Sequence, residues 1–173
     1  MSSQANPLET VFLGLGSNLE QPLVQLARAL RAVHEIPGTA LVRVSSFYDT
    51  APVGLADQPN FVNAVAELQT TLSPHSLLKH LLNIEAEQYR IRDANTLRNG
   101  PRTLDLDILL FGHLQIDEPE LTIPHPRMHQ RAFVLWPLAE IAPELEIPGH
   151  GYVLELLLGL DVSGVRKLEG VTR

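Results

Sequence analysis

The chain has 173 residues, 45% of them apolar, with a formal net charge of −7; this fits one domain with a sizeable core and excludes the overall basic face that a nucleic-acid backbone requires. No apolar run reaches the roughly 18 residues of a membrane span, and Met1 to Pro7 has neither a basic end nor an apolar stretch, so a cytoplasmic protein apart from any membrane is expected. The absence of cysteine excludes disulfides, thiolate zinc sites and thiol nucleophiles, and any metal must take oxygen or imidazole ligands.

Thr10 to Leu15 reads as a buried strand ending at a turn, Gly16-Ser17-Asn18. Pro22 suits a first helical position, where a missing N–H costs nothing, and Leu23, Leu26, Ala27, Leu30 and Val33 recur at helical spacing until Pro37-Gly38. Leu41 to Tyr48, with Val42 and Val44 alternating, predicts a second strand, and Phe61 to Leu68 a third. Ser73-Pro74 announces a second helix carrying Leu77, Leu78, Leu81, Leu82 and Ile84 to about Tyr89. A fourth strand spans Thr103 to Phe111. This order predicts an α+β fold with a ferredoxin-like βαββαβ core, an antiparallel sheet with helices on one face. Further short strands are expected at Leu114 to Ile116 and Leu121 to Ile123, and short helices at Arg131 to Ile141, where Pro137 intrudes, and Val153 to Leu160. The connections Asp49 to Asn60 and Arg90 to Pro101 have 12 residues each, a length more typical of functional lids than of plain connectors. Residues 1–173 are read as a single domain, and as a monomer, since no amphipathic stretch is left over.

Leu104-Asp105-Leu106-Asp107-Ile108-Leu109-Leu110 places both aspartates on one face of a strand and Leu104, Leu106, Ile108 and Leu110 on the other. Their Cα atoms would stand about 6.5 to 7 Å apart, close enough to serve a pair of hard cations; an ordinary solvated sheet face gives the same pattern. Six of the 13 Lys and Arg residues, Arg90, Arg92, Arg98, Arg102, Arg127 and Arg131, cluster around this strand, and all six are arginine. The guanidinium fork matches phosphate oxygens two at a time, so the cluster reads either as an anion site or as a solvated, salt-bridged loop. Gly14-Leu15-Gly16 fails as a dinucleotide fingerprint because Leu19 occupies the third glycine position, and no P-loop motif exists. Gly14 and Gly16 are then read first as turn and close-packing residues, with direct ligand contact as the second reading. His125 and His129 are four apart, but Pro124 and Pro126 argue against the helix that would pair them on a metal.

Five blocks, in order, resemble one known family: Gly14-Leu15-Gly16-Ser17-Asn18, Ser45-Ser46-Phe47-Tyr48-Asp49-Thr50, Gln58-Pro59-Asn60-Phe61-Val62-Asn63, Gly100-Pro101-Arg102-Thr103-Leu104-Asp105-Leu106-Asp107, and Pro124-His125 with Arg131 and Phe133. The chain is similar over about Phe12 to Leu145 to the hydroxymethyl-dihydropterin pyrophosphokinases. That resemblance implies pyrophosphate transfer from ATP to 6-hydroxymethyl-7,8-dihydropterin, giving AMP, in folate biosynthesis. It implies two Mg²⁺ ions on Asp105 and Asp107, with Arg92 and Arg102 acting on the triphosphate. It assigns the pterin to Thr50, Val53, Phe61, Asn63 and Phe133. ATP falls to Glu85, Arg92, Arg102, Ile108, Thr122, His125 and Arg131, with no nucleic acid or membrane as partner. The chain departs from the family pattern at Asn99, Glu120 and Pro126, and in a longer segment from Arg92 to Asn99. A pterin- or nucleotide-binding relative without catalysis, and a magnesium-dependent phosphohydrolase, are the competing functional classes.

Overall fold

The structure, a computed structural model, describes residues 6–51, 59–93 and 104–169, with the side chains of 89–93 outside the description. In chain order the elements are β1 (Glu9–Ser17), α1 (Pro22–His34), β2 (Thr39–Val44), β3 (Tyr48–Thr50), β4 (Phe61–Thr70), α2 (Pro74–Asp93) and β5 (Leu104–Phe111). There follow the hairpin strands β6 (Ile116–Glu118) and β7 (Leu121–Ile123), α3 (Ala132–Ile141), β8 (Glu146–Ile147), β9 (Gly151–Tyr152), α4 (Val153–Leu158) and β10 (Val165–Lys167). The main sheet runs β10-β3-β4-β1-β5, with β2 paired to β4 beyond β3, and every pairing is antiparallel. The order β2-β4-β1-β5 is that of a ferredoxin-like core.

Alternation along β1 divides the molecule. Val11, Leu13 and Leu15 face the cluster that buries Leu26, Leu30 and Val33 of α1 and Leu77 and Leu81 of α2, while Phe12 faces a second cluster made with Leu135, Leu138 and Ile141 of α3. The two helices of the ferredoxin-like core therefore share one face, as expected, and the additional helix α3 covers the other. Helix α3 continues through Pro137, whose ring is buried, and its apolar residues supply a wall of the second cluster. Packing outweighs the single backbone bond that proline removes.

Several expected boundaries shift for identifiable reasons. Strand β1 runs on through Gly16 and Ser17 because both keep partners on β4 and β5, so the expected turn begins only at Asn18. The expected strand Leu41 to Tyr48 is broken at Ser45-Ser46-Phe47: Ser45 Oγ accepts from the Val65 N–H at 2.9 Å, standing in for a backbone carbonyl, and Glu140 on α3 holds Ser46. Helix α2 extends to Asp93, and β3 takes up Asp49 and Thr50, so both expected long connections are shorter than 12 residues; of what remains of them, 52–58 and 94–101 lie outside the described residues. The first expected hairpin strand begins at Ile116 instead of Leu114, and α4 stops at Leu158 before Gly159.

The most consequential irregularity is in β5. Phe12 pairs with Leu110 but Leu13 with Ile108, so Leu109 is an extra residue, a β-bulge. Beyond it the strand's faces exchange, and Leu110 packs in the α3 cluster, not beside Leu104, Leu106 and Ile108 as the simple alternation predicts.

Candidate active site

Opposite the α1 and α2 helices, β1 shows Gly14 and Gly16. The β1–β5 register sets Asp107 beside Gly14 and Asp105 beside Gly16; on the other flank Val65 lies beside Gly14 and Asn63 beside Gly16. One row across the sheet thus reads Tyr48, Asn63, Gly16, Asp105. Paired residues share a face, so an amide and a carboxylate stand two strands apart, about 10 Å between backbones, with only a glycine between them. This floor underlies a cleft of about 560 Å³ lined also by Thr50, Phe61, His125, Arg131 and Phe133.

At one end, Asn63 Nδ2 donates to Thr50 Oγ1 at 2.9 Å, and both side chains are buried. At the other, the bulge has a purpose. Leu109 turns its carbonyl to accept the His125 N–H at 2.9 Å, which fastens the segment Pro124-His125-Pro126, entered by a cis Ile123–Pro124 bond, beside the aspartates. His125 Nδ1 accepts the Arg127 N–H at 3.2 Å, so the ring proton resides on Nε2. Burial, then Arg131 and Arg127, hold the His125 pKa below its ordinary value, and the ring is neutral at pH 7. The Arg131 guanidinium lies 5.5 Å from the centre of the Phe133 ring, within reach of a cation–π contact.

The carboxylates are crowded. Burial and then Asp107 push the Asp105 carboxyl above the usual range, and burial does the same for Asp107; Arg131 opposes both shifts. Glu85, on α2, accepts the Leu106 N–H at 2.9 Å, and its pKa is raised to about 7, first by burial and further by Asp105 and Asp107 against the lowering effect of that hydrogen bond. Hard oxygen donors carrying negative charge that the surroundings only partly compensate fit a magnesium-type dication. A separate surface group, His75, Glu118 and Glu120, brings three ligand atoms within 4.8 Å of one another, with His75 Nε2 already 2.7 Å from Glu118.

The family model for 7,8-dihydro-6-hydroxymethylpterin-pyrophosphokinase matches residues 12–143. The chain belongs to this family. A relative from Pseudomonas aeruginosa, 2-amino-4-hydroxy-6-hydroxymethyldihydropteridine pyrophosphokinase, is 50% identical over 163 residues, covering 94% of this chain and 99% of that one. The protein of the same name from Haemophilus influenzae is 50% identical over 148 residues, covering 86% and 91%. Among solved structures, wild-type Plasmodium falciparum HPPK-DHPS with pterin and p-hydroxybenzoate superposes with a TM-score of 0.67 at 16% identity. It is a likeness of fold alone; the match covers 90% of this chain but only 44% of that longer one.

For a pyrophosphokinase of this family, the cleft gathers Thr50, Phe61, Asn63, Asp105, Asp107, His125, Arg131 and Phe133 from the residues singled out in the sequence. Ile108 alternates to the helix-side core and Thr122 sits on β7 beside Asp117, so neither side chain lines the cleft. Val53, Arg102 and the side chain of Arg92 lie outside the described residues. His129 stacks on His150, ring centres 3.7 Å apart, and does not pair with His125. Sequence reasoning missed the floor. Gly14 and Gly16 alternate with Leu13 and Leu15 at the period of a strand, a signal that was there to read. It also missed Gln130, and Asp161 and Val165 near the C-terminus, which border the cleft; β10 joins β3 there through long-range pairing that no local pattern announces.

Proposed function

We propose that this cleft is where pyrophosphate passes from ATP to 6-hydroxymethyl-7,8-dihydropterin, with Asn63 and Thr50 reading the pterin edge and Asp105 and Asp107 holding two Mg²⁺ ions. The reaction is the family's own, an ATP-dependent diphosphotransfer in folate biosynthesis. The observation that carries the reading is the row Asn63, Gly16, Asp105, which sets an amide and a metal-type carboxylate on one bare floor. A two-ring heterocycle with a one-carbon arm has the length to bridge them.

The chain's own groups divide the work. Asn63 offers a donor and an acceptor together, as a pterin edge requires, and Thr50, accepting from Asn63, keeps its own O–H to donate. Phe61 and Phe133 supply flat apolar surface for stacking. Neutral His125 donates from Nε2 and Arg131 adds fixed charge toward the triphosphate, joined by Arg92 and Arg102. Glu85 beside β5's outer edge, the backbone of Ile108 on that edge and Thr122 on the adjacent β7 would meet the nucleotide, and Val53 completes the pterin side. Bound Mg²⁺ would neutralise triphosphate oxygens and favour attack at phosphorus. Orientation is then the protein's main contribution: the hydroxymethyl oxygen attacks the β-phosphorus, AMP leaves, and the alcohol proton is lost. The chain acts as a single domain and a monomer in the cytoplasm, a reading in keeping with a sequence that leaves no amphipathic stretch over and contains no cysteine.

Incubation with MgATP and hydroxymethyl-dihydropterin, followed by separation of the nucleotides, should show AMP formed in step with pterin consumption. Formation of ADP, turnover without pterin, or no turnover at all would each overturn the reading.

A further inference from the structure

We infer that Gly16 is a positioning residue for pterin recognition: the missing side chain at Gly16 is what lets the Asn63 amide lie in the orientation that reads the ring edge. The inference rests on Asn63 being a pterin contact, as proposed above, and extends it to a residue that touches no pterin atom through a side chain.

Gly16 and Asn63 are direct cross-strand partners on the cleft face. A Cβ at Gly16 would stand 2.6 Å from Asn63 Oδ1, closer than real Cβ contacts come. The amide has little room to yield. Its Nδ2 is committed to Thr50 Oγ1 at 2.9 Å, and on its other flank its strand partner is Tyr48, whose ring packs 5.4 Å from that of Trp136. Thr50 is itself held, since β10 pairs Val165 with it and the Ala51 N–H donates to the Gly164 carbonyl at 3.1 Å. A methyl group at position 16 must therefore displace the amide and break the Thr50 bond. Hydrogen-bond geometry is narrow enough that such a displacement removes the donor–acceptor pair from a heterocycle edge. Gly14 provides the contrast: the atoms nearest a Cβ there belong to the Leu109 side chain, the first at 3.3 Å, and its methyl ends can move. Gly16 has no positive φ, so its requirement is for space over Asn63 and not for backbone freedom.

The test is a double-mutant cycle read by binding. Wild type, Gly16→Ala, Asn63→Ala and the double variant are titrated with hydroxymethyl-dihydropterin, in the presence of Mg²⁺ and an ATP analogue with a methylene between the α- and β-phosphorus. Gly16→Ala should weaken pterin binding about tenfold or more, with affinity for the Mg²⁺–analogue complex held within about twofold. In the Asn63→Ala background, where no amide remains to displace, Gly16→Ala should cost no further pterin affinity. Equal losses from Gly16→Ala in both backgrounds, or wild-type pterin binding by Gly16→Ala, would overturn the inference while leaving Asn63 as a contact. Unchanged pterin binding by Asn63→Ala would instead overturn the reading beneath it. If Gly16→Ala does not fold, the double variant decides: recovery of the fold supports the clash with Asn63, and failure to recover it refutes the inference.

Discussion

The N–H of Leu106, the peptide that links Asp105 to the rest of its strand, donates to Glu85 at 2.9 Å. A helix carboxylate is thereby held against the outer edge of β5 beside two others, and its pKa rises from 4.5 to about 7. A raised carboxyl pKa means that the folded state binds the extra proton. Its contribution to stability is present below about pH 4.5 and is lost as the pH rises through about 7. In chelator, the wild-type melting temperature should fall between pH values of about 5 and 8. Glu85→Gln keeps an oxygen to accept from Leu106 and should flatten that fall; an unchanged slope in the variant would show that Glu85 is not its source.

Asp105→Ala and Asp107→Ala should each lower turnover by more than about a hundredfold, because a metal ligand contributes several kcal/mol to the transition state. The metal-free stability of either variant should stay level or rise, since one of two repelling carboxylates on the cleft floor is gone. Steady-state rates at saturating Mg²⁺, beside melts in chelator, check both halves.

Phe133 is half-buried at the edge of the α3 cluster, with Arg131 over its ring. Stacking on an aromatic ring is worth about 1 to 3 kcal/mol, so Phe133→Ala should weaken pterin binding about 5- to 150-fold and leave ATP affinity within a few-fold. The stability loss should be well below the roughly 3 to 5 kcal/mol of a fully buried phenylalanine. Pterin and ATP-analogue titrations with a denaturant melt would separate these effects; a large stability loss with pterin binding intact would make Phe133 a core residue.

Glu140 lies outside the cleft but accepts the Ser46 N–H at 3.0 Å, the Ser46 hydroxyl at 2.7 Å and the Tyr48 hydroxyl at 2.7 Å, bracing the break between β2 and β3. Burial pushes its pKa up, but the bonds from Tyr48 and Ser46 outweigh this and bring it below the ordinary value. A depressed carboxyl pKa stabilises above about pH 4.5, and that stability is lost as the pH falls through the folded value. Glu140→Ala should therefore cost about 1 kcal/mol near neutral pH, a figure kept small by the residue's exposure, and the difference from wild type should narrow in acid. Urea melts at the two pH values would measure it.

The sequence by itself determined what depends on neighbours a few residues away. The helical spacing of Leu26, Leu30 and Val33, the proline starts at Pro22 and Pro74, and the alternation of Leu104, Asp105, Leu106 and Asp107 were all readable, because period and capping are local properties. They sufficed for the ferredoxin-like order of elements and for two carboxylates on one face, and the five family blocks added the reaction. Only the tertiary structure decided how strands align. It placed Gly16 between Asn63 and Asp105, set the bulge at Leu109 that reverses Leu110 and fastens His125, put α3 across the second face, and brought β10 alongside Thr50. Each of these depends on pairing between residues distant in the chain. A single extra residue in one strand exchanges its faces while the local alternation still reads as a plain strand, so the cleft's floor and one of its anchors were decided by register.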